Sequence, residues 1–250
     1  MSLIHRVRRY LSRPYAIPAD VHASRFVQLL IQASFRRLKV ALGAYDPLTR
    51  LADKHRTDKG VTLYPFMAYS VHYDKLFSRY RDKEVRILEI GLGPQGLSTC
   101  PSLKTWADYF PKATIYGFDI QDFSHVQLPR THIFQGDQGK PEDLLKIVQN
   151  CPEFDIIIDD GSHASFHQQI TLKTLFPYLA DDGYFIIEDL IGIPQDLEAE
   201  LPTDQTTREL LKDPTALNEL VSGVDNVWFP EPFIEPRMRE GFALLTKRAR

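Results

Sequence analysis

Two short runs of this chain constrain its fold more than any other feature: FDIIIDDGSH (residues 154–163) and GYFIIEDL (residues 183–190). Each begins with apolar residues, many of them β-branched or aromatic, and ends abruptly in acids, as a buried strand of a parallel sheet does at its carboxyl end. Ligands of open α/β sheets bind at that edge. We therefore expect four acids to crowd together there: Asp159, Asp160, Glu188 and Asp189.

These four acids have no basic residue among them in the sequence, and carboxylates so placed repel one another unless a cation or a proton intervenes. A hard divalent metal ion resolves the repulsion, because carboxylate oxygens are ligands it prefers. His163 follows in the same loop, and an imidazole with an ordinary pKa near ~6.5 suits a general base. His167 could instead pair with His163 as zinc ligands, but the neighbouring acids favour an oxygen-bound ion.

From residue 85 onward, short apolar runs alternate with helical stretches, a pattern that predicts βαβ units and a parallel sheet. The predicted strands are VRILEI (85–90), TIYGFD (114–119), THIFQGD (131–137), FDIIID (154–159), GYFIIED (183–189), and two more at 226–229 and 241–246. The predicted helices are LKTWADYF (103–110), PEDLLKIVQN (141–150), SFHQQITLKTLFPYL (165–179) and a polar helix near 206–221. We expect an α/β fold with a mostly parallel, seven-stranded sheet and helices on both faces.

The first 50 residues differ from the rest in charge. They contain nine Lys or Arg against two Asp, so residues 51–250 carry a net charge of −10 within the overall −3. Apolar residues at helical spacing between positions 23 and 42 predict a helix. We predict a helical extension over 1–50 and an α/β domain over 51–250. The basic arm could contact nucleic acid, anionic membrane or a partner subunit. We interpret it as a solvated helical face, and expect a homo-oligomer with neither nucleic acid nor membrane as partner.

The composition is typical of a cytoplasmic protein. Hydrophobic residues make up 43% and charged residues 25% of the chain, as in ordinary globular domains. Cys100 and Cys151 are too few for a disulfide framework. The start, MSLIHRVRRYLSRPY, lacks the apolar core of a secretory signal, and no apolar run reaches the length of a membrane span.

The first predicted strand leads into a glycine loop, EIGLGPQG (89–96). The loop matches G-x-G-x-x-G, which is a weak signal by itself. Pro94 and Pro101 flank a segment that does not lead directly into a helix, whereas a nicotinamide dinucleotide needs a helix N-terminus under its pyrophosphate. This disfavours an oxidoreductase. We predict that Gly91 and Gly93 face a ligand, and that Glu89 suits a cationic or hydroxylated one.

Acids also follow the second and third predicted strands. Asp119 is placed to accept hydrogen bonds from ribose hydroxyls, a role that acids at this position have in nucleotide-binding sheets. Asp137, which precedes Gln138, could accept a hydrogen bond from an adenine amino group, although an Asp after a strand also caps turns. Together with the glycine loop, these residues predict a nucleoside site.

In their order, these motifs resemble those of class I S-adenosylmethionine-dependent methyltransferases, and more narrowly the macrolide-sugar O-methyltransferases of the mycinamicin and tylosin type. The resemblance covers roughly residues 51–190. The matching runs are LADKHRTDKG, LEIGLG, SLKTWADYFP, IYGFDI, GDQ (136–138), FDIIIDDGSHASFH, LFPYL and FIIEDL. Two segments depart from the family pattern: LSTCP (97–101) replaces a glycine-rich stretch, and residues 1–50 do not clearly match.

The resemblance implies a Rossmann-like class I methyltransferase fold, with S-adenosylmethionine and Mg²⁺ as cofactors. It implies that His163 is the general base. The magnesium ligands that it implies are Asp160, Glu188 and Asp189.

Further cofactor contacts follow from the same resemblance. Thr57 and Lys59, in the TDK run, are expected to contact the cofactor or a lid, with a solvated turn as the alternative. Gln138 belongs to the matching GDQ run and is expected to contact the cofactor. Asp159 is expected either to face the cofactor or to brace its loop.

The activity that the resemblance implies is Mg²⁺-dependent methylation of a sugar hydroxyl on a glycosylated natural product. Two alternatives stay open: methylation of a non-sugar vicinal diol or catechol, and a non-catalytic nucleoside-binding module. Tyr64, Tyr69 and Tyr73, with His72, either line the acceptor pocket or belong to the core.

Overall fold

The computed structural model describes residues 45–63, 68–93, 99–190, 195–230 and 241–248, together with Leu38. The predicted helical extension therefore lies outside the described residues except for Leu38 and residues 45–50. The first helix with described bounds, α1 (Pro47–His55), begins before residue 51 and continues into the α/β domain. None of the helices in the described part of the chain combines the length and apolar character that crossing a membrane requires.

The described strands form one seven-stranded sheet, which confirms the predicted α/β class. They are β1 (Arg86–Ile90), β2 (Thr114–Asp119), β3 (Thr131–Gln135), β4 (Phe154–Asp159), β5 (Leu179–Ile187), β6 (Val224–Trp228) and β7 (Ala243–Lys247). The order across the sheet is β3-β2-β1-β4-β5-β7-β6. The first five strands pair in parallel, and β7 is antiparallel to both β5 and β6.

Helices cover both faces of the sheet. The remaining described helices are α2 (Tyr69–Phe77), α3 (Pro101–Tyr109), α4 (Pro141–Val148), α5 (Ser165–Leu175), α6 (Gln195–Glu200), α7 (Thr207–Leu210) and α8 (Pro214–Leu220), with short 3₁₀ turns at Ser78–Tyr80 and Phe176–Tyr178. The helices α1, α2 and α3 contribute to one apolar core, and α4, α5 and α8 contribute to the other.

The helices on both faces of the sheet explain why the central strands are continuous apolar runs. In β4, Ile156 and Ile158 point into the core beside α1–α3, whereas Ile157 points into the core beside α4 and α5. All three are fully buried. Because successive strand residues alternate between faces, a strand covered on both sides must be apolar throughout.

The prediction of a single polar helix near residues 206–221 is wrong, because the structure has two short helices there, α7 and α8. Thr206 and Glu209 form a capping box at the start of α7. Asp213 then caps α8 through its Oδ1, which accepts hydrogen bonds from the backbone N–H groups of Thr215 and Ala216 at 2.9 and 3.1 Å. Pro214 at the first position of α8 fits a helix start, where its missing N–H is not needed.

The carboxyl ends of the central strands are joined by backbone hydrogen bonds that continue beyond the strands. Asp160 N–H donates to the Ile90 carbonyl at 2.8 Å, Gly91 N–H to Phe118 at 2.9 Å, and Glu188 N–H to Asp159 at 2.9 Å. The approach is tightest at Gly91, where a Cβ atom would overlap the carbonyl oxygen of Asp160. Gly91 also has a φ of +86°, a conformation that favours glycine.

This close approach predicts that Gly91→Ala destabilises the fold by about 2–5 kcal/mol, because left-handed strain and overpacking add together. Gly223→Ala is the matched control, since Gly223 has a φ of +87° but no atom within 4 Å of the place that a Cβ atom would occupy. We expect the control to cost only about 1–2 kcal/mol. Urea unfolding of both variants measures the difference, and equal losses would contradict a steric role for Gly91.

Candidate functional site

A cavity of about 590 Å³ lies at the carboxyl edge of the sheet, beside the ends of β1, β2 and β4. Seven of the residues predicted to bind the cofactor line it: Thr57, Lys59, Gly91, Gly93, Asp119, Asp137 and Gln138. Asp160 and His163 line the same cavity. The parallel strands thus bring together residues from the 56–63 segment, the glycine loop and three strand ends.

Asp119 links the end of β2 to the glycine loop. Its Oδ2 accepts a hydrogen bond from the Leu92 N–H at 2.7 Å, and its Oδ1 accepts one from the Gln121 N–H at 2.8 Å. A carboxylate oxygen has more than one acceptor position, so these bonds orient the group and still leave it able to accept from a ligand. The arrangement is suited to ribose hydroxyls in the cavity.

Asp137 and Gln138 have different hydrogen-bond partners. Asp137 accepts a hydrogen bond from the Gly139 N–H at 2.9 Å, and this bond is the main reason that the pKa of Asp137 lies below its ordinary value. Gln138 donates to Asp159 at 2.7 Å and to Thr171 at 2.9 Å, and accepts from the Ser162 N–H at 3.1 Å. Gln138 therefore braces the loop that follows β4.

Asp159 shares this bracing role. It is buried, and it accepts hydrogen bonds from Gln138 and from the Gly161 N–H at 3.3 Å. Burial raises the pKa of Asp159 to about 6. Asp159 does not line the cavity; its hydrogen bonds to Gln138 and Gly161 hold the loop that carries its neighbour Asp160.

The acidic cluster contains a basic residue, which the sequence pattern did not predict. The ammonium group of Lys59 bonds to Asp160 Oδ2, lies 3.0 Å from Glu188 Oε2 and lies 3.5 Å from Glu89 Oε1. The side chains of Lys59, Glu89 and Glu188 are only 2%, 0% and 2% exposed. Asp160 and Glu188 therefore do converge on one cation, and in this structure that cation is an internal lysine.

Lys59 does not fully offset the cost of burying the acids of this cluster. Burial alone would lower the pKa of Lys59, but Asp160 and Glu188 raise it well above its ordinary value, so the amine is charged. Burial raises the pKa of Glu188 to about 8, against the opposing effects of Lys59 and Tyr73. Burial, reinforced by Glu188, also raises the pKa of Asp160 well above its ordinary value. A further cation near these acids would be stabilised.

A second group of donors lies next to this cluster. Ligand atoms of Asp160, His163 and Asp189 all lie within 4.8 Å of one another, and His163 Nε2 is 3.7 Å from Asp189 Oδ2. His163 Nδ1 is buried and has no hydrogen-bond partner among the described residues. Both His163 and Asp189 have positive φ angles, 64° and 55°, as is common where side chains are held for function. Two carboxylates fit a hard divalent ion, and the imidazole beside them fits a base for a hydroxyl bound there.

Glu188 is not part of this three-residue group. Its Oε1 accepts a hydrogen bond from the Tyr73 hydroxyl at 2.6 Å, and its Oε2 faces Lys59. The predicted ligand set of Asp160, Glu188 and Asp189 thus has two members in the group, with Glu188 bonded to other partners. His167 lies outside the group as well, because its Nδ1 contacts Ser162 Oγ at 2.6 Å.

Glu89, which was predicted to contact a cationic or hydroxylated ligand, is not among the residues that line the cavity. It is fully buried, and its Oε2 accepts a hydrogen bond from the indole N–H of Trp106 at 3.0 Å. Its other oxygen faces Lys59 at 3.5 Å. Glu89 reaches the cavity only through Lys59, which is itself part of the lining.

Two of the tyrosines that the sequence left unassigned contact the acids. The Tyr69 hydroxyl donates to Asp189 Oδ1 at 2.7 Å, as the Tyr73 hydroxyl does to Glu188. Both rings are buried. The ring of His72 lies 6.2 Å from that of Trp228, and Tyr64 is outside the described residues. The spacing Y-x-x-x-Y on a helix was the available signal that residues 69 and 73 share a face.

Comparison with known proteins agrees with this geometry, although no family model matches the chain. Demethylmacrocin O-methyltransferase from Streptomyces fradiae is 36% identical over 181 residues, which is 71% of this chain and 45% of that protein. Mycinamicin VI 2''-O-methyltransferase from Micromonospora griseorubida is 40% identical over 147 residues, 57% of this chain and 36% of that protein. Over the aligned residues, the chain is homologous to both of these O-methyltransferases. It spans less than half the length of these relatives.

A solved member of this group has the same fold. MycE methyltransferase from the mycinamycin biosynthetic pathway, in complex with Mg and SAH, superposes with a TM-score of 0.64 at 28% identity. The match covers 92% of this chain and 62% of MycE. Another MycE structure contains Mg, SAH and mycinamycin VI. The Rossmann-like class I methyltransferase fold predicted from the motifs is therefore confirmed, and so is the resemblance to the macrolide-sugar O-methyltransferases.

The buried position of Lys59 generates a prediction for stability. Lys59→Met leaves the buried carboxyl groups of Glu89 and Glu188 without their cation, and removing one partner of a buried ion pair costs about 3–5 kcal/mol. Lys54→Met is the matched control, because Lys54 pairs with Asp108 at 2.8 Å on the exposed surface. An exposed pair is worth about 0–1 kcal/mol. Urea unfolding at pH 7 compares the two, and similar losses would show that Lys59 does not stabilise the cluster.

Proposed function

We propose that this chain is a Mg²⁺-dependent O-methyltransferase that moves a methyl group from S-adenosylmethionine to a sugar hydroxyl of a glycosylated natural product. The observation that carries the proposal is the meeting of Asp160, His163 and Asp189, of which Asp160 and His163 line the cavity of about 590 Å³. The names of two further relatives from Streptomyces olivaceus, which are 3'- and 2'-O-methyltransferases of rhamnosyl tetracenomycin-C compounds, supply the acceptor class.

The cavity provides the groups that a nucleoside sulfonium needs. Asp119 is proposed to accept hydrogen bonds from the ribose hydroxyls and Asp137 from the adenine amino group. Gly91 and Gly93 let the backbone approach the ligand closely, while Thr57 and Lys59 close the cavity from the side of the 56–63 segment. Gln138 and Asp159 hold the loop after β4, and Glu89 acts through Lys59.

The acids and His163 are proposed to prepare the acceptor. Asp160 and Asp189, together with Glu188, would hold a Mg²⁺ ion. A bound Mg²⁺ supplies Lewis acidity that lowers the pKa of a coordinated hydroxyl. His163 accepts the hydroxyl proton at a ring nitrogen and keeps the oxygen aligned for in-line transfer. The ring of His163 lines the cavity, with its Nε2 3.7 Å from Asp189 Oδ2.

Several expectations about the whole protein stay predictions. These are a cytoplasmic location, a homo-oligomeric assembly, and the absence of nucleic-acid and membrane partners. The small-molecule glycoside as acceptor belongs to the proposal itself. A non-sugar vicinal diol or catechol as acceptor, or a nucleoside-binding module without turnover, would appear as outcomes of the following experiment.

Mass-spectrometric screening tests the activity directly. The purified chain is incubated with S-adenosylmethionine and a panel of macrolide glycosides, aglycones and simple catechols, with and without a chelator. We expect one methyl mass gain on glycosides only, which the chelator suppresses and added Mg²⁺ restores. Methylation of catechols but of no glycoside would move the assignment to the diol class. Cofactor binding by calorimetry, with no turnover of any acceptor, would favour a binding module.

Two variants assign the roles of His163 and Glu188. His163→Ala should lower kcat by about 10²–10⁴, the usual contribution of a general base. It should leave SAH affinity and Mn²⁺ affinity nearly unchanged. Glu188→Gln should weaken Mn²⁺ affinity about tenfold or more, as loss of a carboxylate ligand does. The reverse pattern, in which only His163→Ala loses Mn²⁺, would make His163 a ligand and remove it from proton transfer.

A further inference from the structure

Helix α2 contacts the two acids after β5 through a pair of tyrosines. Tyr69 and Tyr73 are one turn apart and lie on the same face of the helix. The Tyr69 hydroxyl donates to Asp189 Oδ1 at 2.7 Å, and the Tyr73 hydroxyl donates to Glu188 Oε1 at 2.6 Å. Two consecutive acids are thus held by one helix.

Consecutive residues of an extended strand point in opposite directions, so this arrangement needs a change of backbone direction. Asp189 provides it, with a φ of 55° immediately after Glu188. Such a conformation costs a non-glycine residue free energy and persists only where its surroundings maintain it. The bond from Tyr69 is one of the contacts that do so.

In each acid, one carboxylate oxygen accepts the hydrogen bond from the tyrosine, and the other oxygen remains available to a cation. Asp189 Oδ1 bonds to Tyr69, and Asp189 Oδ2 faces His163 Nε2 at 3.7 Å. Glu188 Oε1 bonds to Tyr73, and Glu188 Oε2 lies 3.0 Å from the ammonium group of Lys59. The phenols therefore determine which carboxylate oxygen of Glu188 faces Lys59 and which oxygen of Asp189 faces His163.

The phenol rings are themselves fixed by packing. Tyr73 stacks on Phe77 with ring centres 5.1 Å apart, and Phe242 meets the rings of Tyr69 and Tyr73 edge-on at 5.0 and 5.4 Å. Both tyrosines are almost completely buried. A ring that cannot turn holds its hydroxyl, and hence its carboxylate partner, in one orientation.

We propose that Tyr69 and Tyr73 are positioning residues for the metal site, which orient Asp189 and Glu188 for coordination. This inference rests on the proposed function, because it concerns the same Mg²⁺ site. Groups that hydrogen-bond to metal ligands commonly change metal affinity 10–100-fold when they are removed. The tyrosines, though placed 115 and 120 residues before the acids in the sequence, thus belong to the site's chemistry.

Titration with Mn²⁺, followed by the electron paramagnetic resonance signal of the free ion, tests the proposal without substrate or turnover. We expect Tyr69→Phe and Tyr73→Phe each to weaken Mn²⁺ binding about tenfold or more. Tyr109→Phe is the matched control: Tyr109 is also buried, and its hydroxyl donates to a carboxylate, Asp74 Oδ1, at 2.9 Å. All three variants lose the same kind of bond and should lower the thermal unfolding midpoint similarly, but the control should keep wild-type Mn²⁺ affinity.

Asp189→Asn separates failure of this inference from failure of the proposed function. If Asp189→Asn weakens Mn²⁺ binding while Tyr69→Phe and Tyr73→Phe bind like wild type, the positioning role is wrong and the metal site stands. If all three tyrosine variants weaken Mn²⁺ binding equally, the effect is general loss of structure and the inference is also overturned. If the wild-type chain does not bind Mn²⁺, or Asp189→Asn changes nothing, the metal site itself is wrong and the positioning role falls with it.

Discussion

The ammonium group of Lys59, buried among Glu89, Asp160 and Glu188, is the interaction on which the site depends. Buried charges are costly unless they are paired, and three carboxylates at the ends of β1, β4 and β5 could not remain this close without a cation. Lys59 comes from the segment after α1, so one ion cluster ties that segment to the centre of the sheet. The same cluster joins the wall of the cofactor cavity to the proposed metal ligands.

The parallel sheet explains why chemistry collects at this edge. Residues distant in sequence meet there because β1, β2, β4 and β5 all end on the same side, and their loops continue to hydrogen-bond to one another. Each acid then has a distinct environment. Asp119 is held by backbone N–H groups, Asp159 by Gln138, and the two acids after β5 by tyrosines of α2.

The strands and the crowding of the acids could be predicted because both follow from local patterns. FDIIIDD is typical of a buried strand ending in acids whatever the rest of the chain does. The partners of those acids could not be predicted, because no periodicity links Lys59 to Asp160 and Glu188, which are 101 and 129 residues away in sequence. Glu89 was expected to contact a cationic or hydroxylated ligand, but it is buried, with one oxygen bonded to Trp106 and the other facing Lys59. The break between α7 and α8 at Asp213-Pro214 could have been predicted, because Asp before Pro is a helix-start signal.

Acids from two neighbouring strands are proposed to share one divalent cation beside His163, and the location of a bound ion decides whether they do. Crystals of the chain soaked in Mn²⁺ and measured at the manganese absorption edge would locate it. We expect one strong anomalous peak at about 2.1–2.2 Å from carboxylate oxygens of Asp160 and Asp189, within the range of hard divalent ions. A peak elsewhere, with Asp160 still bonded only to Lys59, would show that these acids do not form the metal site.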